Sequence, residues 1–335
     1  MDFGREQKEE KMMKKYIKKC IVLLLVVVMA VCLACCQSKE KQQGTEDGSM
    51  SAENEQLSAD GESMSADDES VTASVKTVSD GDLEMDYIIF GSGEKNFVIL
   101  PGLSVHSVMG SADVIADAYK SFAKDYTVYV FDRAKNIQDG YTVEDMADDT
   151  AKAMKALNIE DADIFGASQG GMIAQYLAID HPDLVHKMIL GSTLAKPNDT
   201  FKKITEEWVS LAEEKDETGL LESFVDYVYS DATLKEYRDT IISSNSGISE
   251  EEFERFRILT SACRTFDCYD ELSSVSCPVL VLGSEGDRVV TAEGSRQIAE
   301  ALGCEIYLYD DSYGHGVYDE APDYRQRCLD FFEKE

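Results

Sequence analysis

From about residue 84 the chain alternates short apolar runs with amphipathic stretches. The runs "MDYIIFG", "NFVILPG", "YTVYVFD", "ADIFGAS", "KMILGST", "CPVLVLGS" and "CEIYLYD" are bounded by Gly, Pro, Asp or Ser, the signature of strands. Apolar residues at helical spacing predict helices over 109–124, 143–157, 169–181, 292–302 and 321–333. Strands alternating with helices imply an α/β fold, a mostly parallel twisted sheet with helices on both faces. The first two runs are too close together to hold a crossover helix, so they are expected to pair as an antiparallel hairpin at one edge.

One interval breaks the rhythm. Between "KMILGST" and "CPVLVLGS" lies charged amphipathic sequence, Leu194 to Ser276, which holds the only tryptophan, Trp208. Segments such as "ITEEWVSLAEE", "LLESFVDYVY" and "EEFERFRILTSA" carry apolar residues at helical spacing. They predict a helical lid at about 195–270 over the carboxyl end of the sheet, where inserted segments build substrate pockets. A peripheral helical subdomain with no part in binding is the alternative.

The amino-terminal region follows a different pattern. Lys14, Lys15, Lys18 and Lys19 precede the uncharged run Ile21 to Ala34, which leads into "LACCQSKEK". A basic region, about 7–15 apolar residues and small residues at the end make an export signal, whereas a membrane-spanning helix needs about 20. The string resembles the lipobox of bacterial lipoprotein signals, in which a cysteine becomes the lipidated first residue of the mature chain. With Cys36 as acceptor, Leu33 and Ala34 stand where the pattern prefers them, although Cys35 takes the place of a smaller residue. With Cys35 as acceptor, Ala34 fits and Cys32 and Leu33 do not, so Cys36 is preferred. An uncleaved single-pass anchor is the alternative, and Met12 or Met13 are alternative starts.

Gln37 to Asp80 contains no aromatic residue, nine serines and 11 acidic against 3 basic side chains. Such a segment cannot bury enough apolar surface to offset the entropy of ordering. The expected organisation is therefore a lipoprotein-type signal peptide at 1–36, a disordered acidic tether at 37–80 and a globular domain at 81–335. The chain would be anchored by lipid to the outer face of the cytoplasmic membrane, at the bacterial cell surface.

Charge narrows the partners. Lys and Arg number 32 against 65 Asp and Glu, a formal net charge of -33, which repels nucleic-acid phosphates. Four of the nine cysteines lie in the signal region. The other five, Cys263, Cys268, Cys277, Cys304 and Cys328, lack metal-ligand spacing and are expected as buried free thiols, with a Cys263–Cys268 bridge as the alternative. No metal, nucleotide or redox cofactor is implied.

Candidate chemistry centres on "DIFGASQGG". Gly166, Ser168 and Gly170 form G-x-S-x-G, a pentapeptide that chance places in about one chain of this length in ten. Its setting raises the signal: the strand "DADIF" enters it and the helix "GGMIAQYLAIDHP" leaves it, the strand–turn–helix of a nucleophile elbow. A serine hydroxyl needs a base. Among the four histidines, His181 ends the elbow helix, His186 lies at the opposite end of the sheet, and His106 follows the first parallel strand, where it could line a pocket. Only His315, in the glycine-flanked loop "DDSYGHGVYDE" after the last strand, can reach over Ser168. The base in turn needs a carboxylate. Asp287, in "VLVLGSEGDRVV", is preferred, with Glu285 the nearby alternative and Asp132, at the end of "YVFD", taken as structural. The Pro101-Gly102 turn would aim the Leu103 N–H at the pocket alongside that of Gln169.

The residues "LPGL", "VFDRAK", "DIFGASQGGMIAQYLAIDHPDLV", "LVLGSEGDRVV" and "YGHG" resemble, in order and interval, those of the alpha/beta-hydrolase family, and the resemblance covers 84–335. It implies Ser168 as nucleophile, His315 as base and later acid, Asp287 as its orienting carboxylate, and the Leu103 and Gln169 amides as oxyanion donors. Two positions depart from the family: Pro101-Gly102 stands where members often carry His-Gly, and "RAKNIQDG" replaces a small or glycine-rich loop. The implied activity is cleavage of carboxylic esters of small or lipid-like substrates through an acyl-enzyme. The lid would contribute Trp208, Phe224, Tyr227 and Phe256, residues that could instead pack the lid itself. Carbon–carbon bond hydrolysis with the same three residues, favoured if basic lid residues face Ser168, is an alternative. A small-peptide peptidase and a non-catalytic ligand-binding module are the others.

Overall fold

A computed structural model describes residues 71–334, all but the first of them in the unit Thr72–Glu335. The signal, Cys35 and Cys36, and the tether as far as residue 70 lie outside the described residues. Eight strands form one sheet: β1 (Ser74–Asp80), β2 (Leu83–Gly91), β3 (Lys95–Leu100), β4 (Tyr126–Ala134), β5 (Ala162–Ala167), β6 (Val185–Gly191), β7 (Val279–Ser284) and β8 (Glu305–Tyr309). Their order is β1-β2-β4-β3-β5-β6-β7-β8, with β1 and β2 antiparallel and the rest parallel.

Two expectations about the edge are corrected. The first hairpin joins β1 to β2, and β2 pairs with β4 rather than β3. After Gly91 the chain passes beneath the start of β4: a Cβ on Gly93 would lie 1.9 Å from the Asp125 carbonyl carbon, so only glycine allows the crossing. Ser74–Asp80, assigned to the tether from sequence, is an ordered edge strand. Val78 is its only buried residue, so backbone pairing with β2 holds it in the sheet, and its side chains carry no alternating pattern to betray it.

The central strands bury both faces. On one, Val98, Leu100, Ile164, Met188 and Leu190 pack in the core with α2 (Val143–Ala156) and α3 (Gln169–Asp180). On the other, Phe97 and Phe165 meet the rings of Phe122, Tyr119, Tyr324 and Phe332 at centroid separations of 4.7 to 6.5 Å. Those partners come from the segment of α1 (Ala112–Ala118) and from the last helix. The helix expected over 109–124 is broken by 3-10 turns at both ends, and the non-helical Tyr119 turns its ring and that of Phe122 into this layer.

Between β6 and β7 stand four helices: α4 (Asp199–Glu213), α5 (Glu217–Val228), α6 (Asp231–Ser244) and α7 (Glu250–Thr265). Side-chain caps start each of them at Asn198, Asp216, Ser230 and Ser249, the last completing a capping box with Glu252. Trp208 sits 4.9 Å from Phe224 and 6.4 Å from Tyr227, and Phe224 6.0 Å from Phe256. These aromatics are the insertion's own core. α8 (Thr291–Leu302), α9 (Val317–Glu320) and α10 (Tyr324–Glu333) complete the chain.

Candidate active site

The site assembles at the carboxyl ends of β3, β5, β7 and β8. Ser168 follows β5 and caps α3 with φ 51° and ψ −117°, a left-handed backbone that costs a non-glycine residue about 1–3 kcal/mol. Hydrogen bonds over-determine that turn. Its N–H donates to Gly191 O at 2.8 Å, and its carbonyl accepts from Gly171 N, Met172 N and Thr193 Oγ1. The glycines make room: a Cβ on Gly170 would sit 1.9 Å from Leu100 O, which is how α3 starts against the end of β3.

His315 lies between β8 and α9 and Asp287 between β7 and α8, both nearly fully buried. His315 Nε2 is 3.0 Å from Ser168 Oγ, and His315 Nδ1 is 2.9 Å from Asp287 Oδ2. The second carboxylate oxygen accepts from the Val289 and Val290 amides at 2.8 and 3.0 Å. Hydroxyl, imidazole and carboxylate therefore stand in series, in the order that lets the ring take the serine proton. Glu285, the alternative carboxylate, pairs with Arg296 at the surface instead.

Two amides lie on the turns that border Ser168. Among the described residues neither the Leu103 nor the Gln169 N–H meets an acceptor within the chain. A methyl carbon placed on Gly102 would lie only 3.2 Å from Ser168 Cβ, so the Pro101–Leu103 turn runs directly beside the nucleophile.

The other histidines are occupied elsewhere. His181 meets Asp148 at 2.8 Å, and His186 meets the buried Asp163 at 2.8 Å. His106 does line a cavity, but its ring nitrogens face Glu252 Oε1 at 2.7 Å and Asn245 O at 2.9 Å, fastening the turn after β3 to the lid. Asp132 is structural, accepting from Ser107, from the Arg133 amide and from Arg255 of α7. The five described cysteines are free thiols, so the Cys263–Cys268 bridge is absent.

Sequence reasoning missed the polar cluster behind the turn. Arg133 donates to Gln169 Oε1 at 3.2 Å and to Pro101 O at 2.6 Å, while Gln169 Nε2 donates to Leu259 O and Cys263 Sγ of α7. Burial pushes the Arg133 guanidinium down to about 10 and the Cys263 thiol up to about 11. The only signal was a charged residue at the end of a central strand, a place that should be apolar unless its charge has partners. Arg133, Gln169 and Pro101, with Ser104, His106, Asp132, Arg255 and Leu259, line a cavity of about 10 Å³, room for about one water.

An eight-stranded, mostly parallel sheet with a helical insertion after β6, and a buried hydroxyl–imidazole–carboxylate series at its carboxyl end, are the architecture of the alpha/beta-hydrolase fold. Comparison with known proteins agrees: residues 95–233 match the family described as alpha/beta hydrolase fold. The chain is 26% identical over 242 residues to "Putative carbamate hydrolase RutD" of Caulobacter sp. (strain K31), covering 68% of this chain and 88% of that protein. In fold it is similar to MGS-M2, an alpha/beta hydrolase enzyme from a Medee basin deep-sea metagenome library, with a TM-score of 0.70 at 21% identity over 78% of this chain and 98% of the other. The enol-lactonase from Burkholderia xenovorans LB400 gives 0.68 at 17% identity, over 77% and 100% of the two chains.

Proposed function

We propose that this protein is a serine hydrolase that cleaves carboxylic esters of small molecules through an acyl-enzyme on Ser168. The observation that carries this is the continuous hydrogen-bonded path from Asp287 through His315 to the Ser168 hydroxyl. In acylation, Ser168 Oγ bonds to the ester carbonyl carbon as its proton passes to His315 Nε2. The carbonyl electron pair moves onto oxygen, where the Leu103 and Gln169 amides stabilise it. Collapse breaks the bond to the alcohol oxygen, which leaves with the proton from His315, and water activated by the same imidazole releases the acid. Asp287 holds the imidazole proton on Nδ1 and stabilises the charged ring.

Small acyl groups are preferred over lipid-like ones in this reading, because Trp208, Phe224 and Phe256 pack against one another in the insertion's own core. Carbon–carbon bond hydrolysis would draw on a lid cation for a substrate acid, but Arg255 is already bonded to Asp132, Ala134 O and Arg133 O. Hydrolysis of a small carbamate is the second reading. It is favoured by the name carried by a relative that matches 88% of its own length, and it uses the same serine and imidazole.

A fluorophosphonate probe tests the nucleophile. Wild-type protein should label and Ser168→Ala should not; equal labelling of both, or none of the folded wild type, would sink the proposal. A panel of esters of graded acyl length beside a small carbamate then separates the two readings. The lipid anchor on Cys36, or Cys35, is likewise proposed from the sequence, and mass spectrometry of the mature amino terminus checks it.

A further inference from the structure

The single helical turn α9 begins two residues after His315 and carries Tyr318. Where a methyl carbon on Gly102 would stand 3.2 Å from Ser168 Cβ, it would also stand 3.7 Å from the Tyr318 hydroxyl oxygen. Nucleophile and phenol therefore bound the same small space beside the Pro101–Leu103 turn. Tyr318 is half-buried.

Among the described residues that hydroxyl meets no hydrogen-bond partner. Three tyrosines elsewhere in the domain are paired: Tyr126 donates to Asp163 at 2.9 Å, Tyr141 to Asp149 at 2.8 Å and Tyr309 to Asp323 at 3.1 Å, whereas the buried Tyr324 hydroxyl, away from the Pro101–Leu103 turn, also meets no partner among the described residues. A phenol O–H largely withdrawn from water usually finds a partner, since leaving it unmade costs about 1–3 kcal/mol. An unmatched donor beside the nucleophile is what a group reserved for substrate looks like.

Its position is fixed by the same short segment that fixes His315. The Glu320 carboxylate accepts from Gly314 N at 2.8 Å and from Ser230 N at 2.9 Å, bracing the loop against the lid. Asp319 N and Ala321 N close the turn onto Gly316 O and Val317 O, and the Tyr318 ring packs edge-on to Tyr324 at 6.4 Å. Burial, reinforced by the charges of Asp319 and Asp287 and by Tyr229, holds the phenol pKa well above its ordinary value. The group keeps its proton through the neutral range and acts as a donor, not as a second base.

We propose that Tyr318 is a further catalytic residue whose O–H donates a hydrogen bond to the substrate carbonyl oxygen as Ser168 attacks. The phenol keeps its proton throughout. It adds a side-chain donor to the two backbone amides at the oxygen that receives the carbonyl electron pair, while the serine proton goes to His315. The proposal rests on the acyl-enzyme function above.

The test compares full-length wild type with Tyr318→Phe on p-nitrophenyl acetate. Because the hydroxyl has no partner among the described residues, the variant should melt with the wild type and keep its KM, while kcat falls on the order of a hundredfold, as for loss of one oxyanion donor. Fluorophosphonate should still label Ser168 completely in the variant, but more slowly. As a second variant, fluorotyrosine at 318, a stronger donor, should retain the activity that phenylalanine loses. A wild type that neither turns over nor labels would refute the acyl-enzyme function itself. An active wild type with Tyr318→Phe within twofold of it, or fluorotyrosine as slow as phenylalanine, would overturn the role of Tyr318 alone.

Discussion

Replacing Asp287 with asparagine probes the site through its tautomer. Two backbone amides, Val289 N and Val290 N, point at Oδ1 from 2.8 and 3.0 Å, so the variant must keep an oxygen there. Its NH2 is then placed where Oδ2 stands, 2.9 Å from His315 Nδ1. An NH2 group cannot accept, so Nδ1 must present its lone pair, and the ring proton moves to Nε2, 3.0 Å from Ser168 Oγ. The imidazole then donates to the serine it should deprotonate. The same substitution in a serine-protease triad lowers kcat on the order of 10⁴-fold, or ~5.5 kcal/mol of barrier. That loss is expected for Asp287→Asn on an activated ester, with little change in melting temperature because shape and both amide bonds are kept. The assay is steady-state kcat on p-nitrophenyl acetate beside a thermal melt. A folded variant within tenfold of wild type would show that something other than Asp287 orients the ring, and the mechanism would be wrong.

Other outcomes follow from the same geometry. Gly102→Ala puts a methyl 3.2 Å from Ser168 Cβ, forcing a shift of a few tenths of an ångström; kcat should fall roughly tenfold to a hundredfold with the melt nearly unchanged. Full activity would mean that the turn does not border the reacting atoms. Burial works to raise the Glu252 carboxyl, but hydrogen bonds from His106 and Ser249 outweigh it and hold its pKa below the ordinary 4.5. A depressed folded pKa contributes stability above the unfolded value and loses it as pH falls through the folded one. The melting-temperature gap between wild type and Glu252→Gln should accordingly be present above the ordinary 4.5 and shrink as pH falls below it through the depressed folded pKa; a gap that does not shrink on acidification would contradict the clamp. Burial raises the thiols of Cys263, Cys277 and Cys304 to about 11, and pushes those of Cys268 and Cys328 up as well. A disulfide reagent at pH 8 should therefore modify these five slowly in the native protein and fast after unfolding, with cysteine-resolved mass spectrometry as the readout.

What could be read from the sequence was what neighbouring residues decide. The elbow is such a case, because its strand, glycines and helix lie within one short stretch and their order alone places Ser168 on the turn. Asp287 and His315 were legible for a related reason: in a parallel sheet every strand ends at the same edge, so loops after β7 and β8 must approach the loop after β5. The β2 pairing was not, since it depends on Gly91 to Glu94 slipping beneath the start of β4, and that contact is made only in the folded chain. Nor was β1, where one buried residue in seven leaves no alternation to find. Tyr318 was hidden because nothing distinguishes it in sequence from the tyrosines that pack beside it.

The lid illustrates the limit most sharply. Its helices were legible from spacing, and so was its length, but not what it holds. Gln169, the residue after Ser168, extends its side chain onto Leu259 O and Cys263 Sγ of α7. Arg133 binds that same side chain and also the Pro101 carbonyl of the opposite donor turn. His106 carries the turn onward to Glu252, at the start of the same helix. Both backbone donors are therefore braced from behind by contacts that end on α7. A change in the packing of that helix would reach the two amides proposed as oxyanion donors through Gln169 on one side and Arg133 on the other. On the proposed mechanism, α7 would therefore bear on rate even though it contributes no atom to the serine, imidazole and carboxylate series.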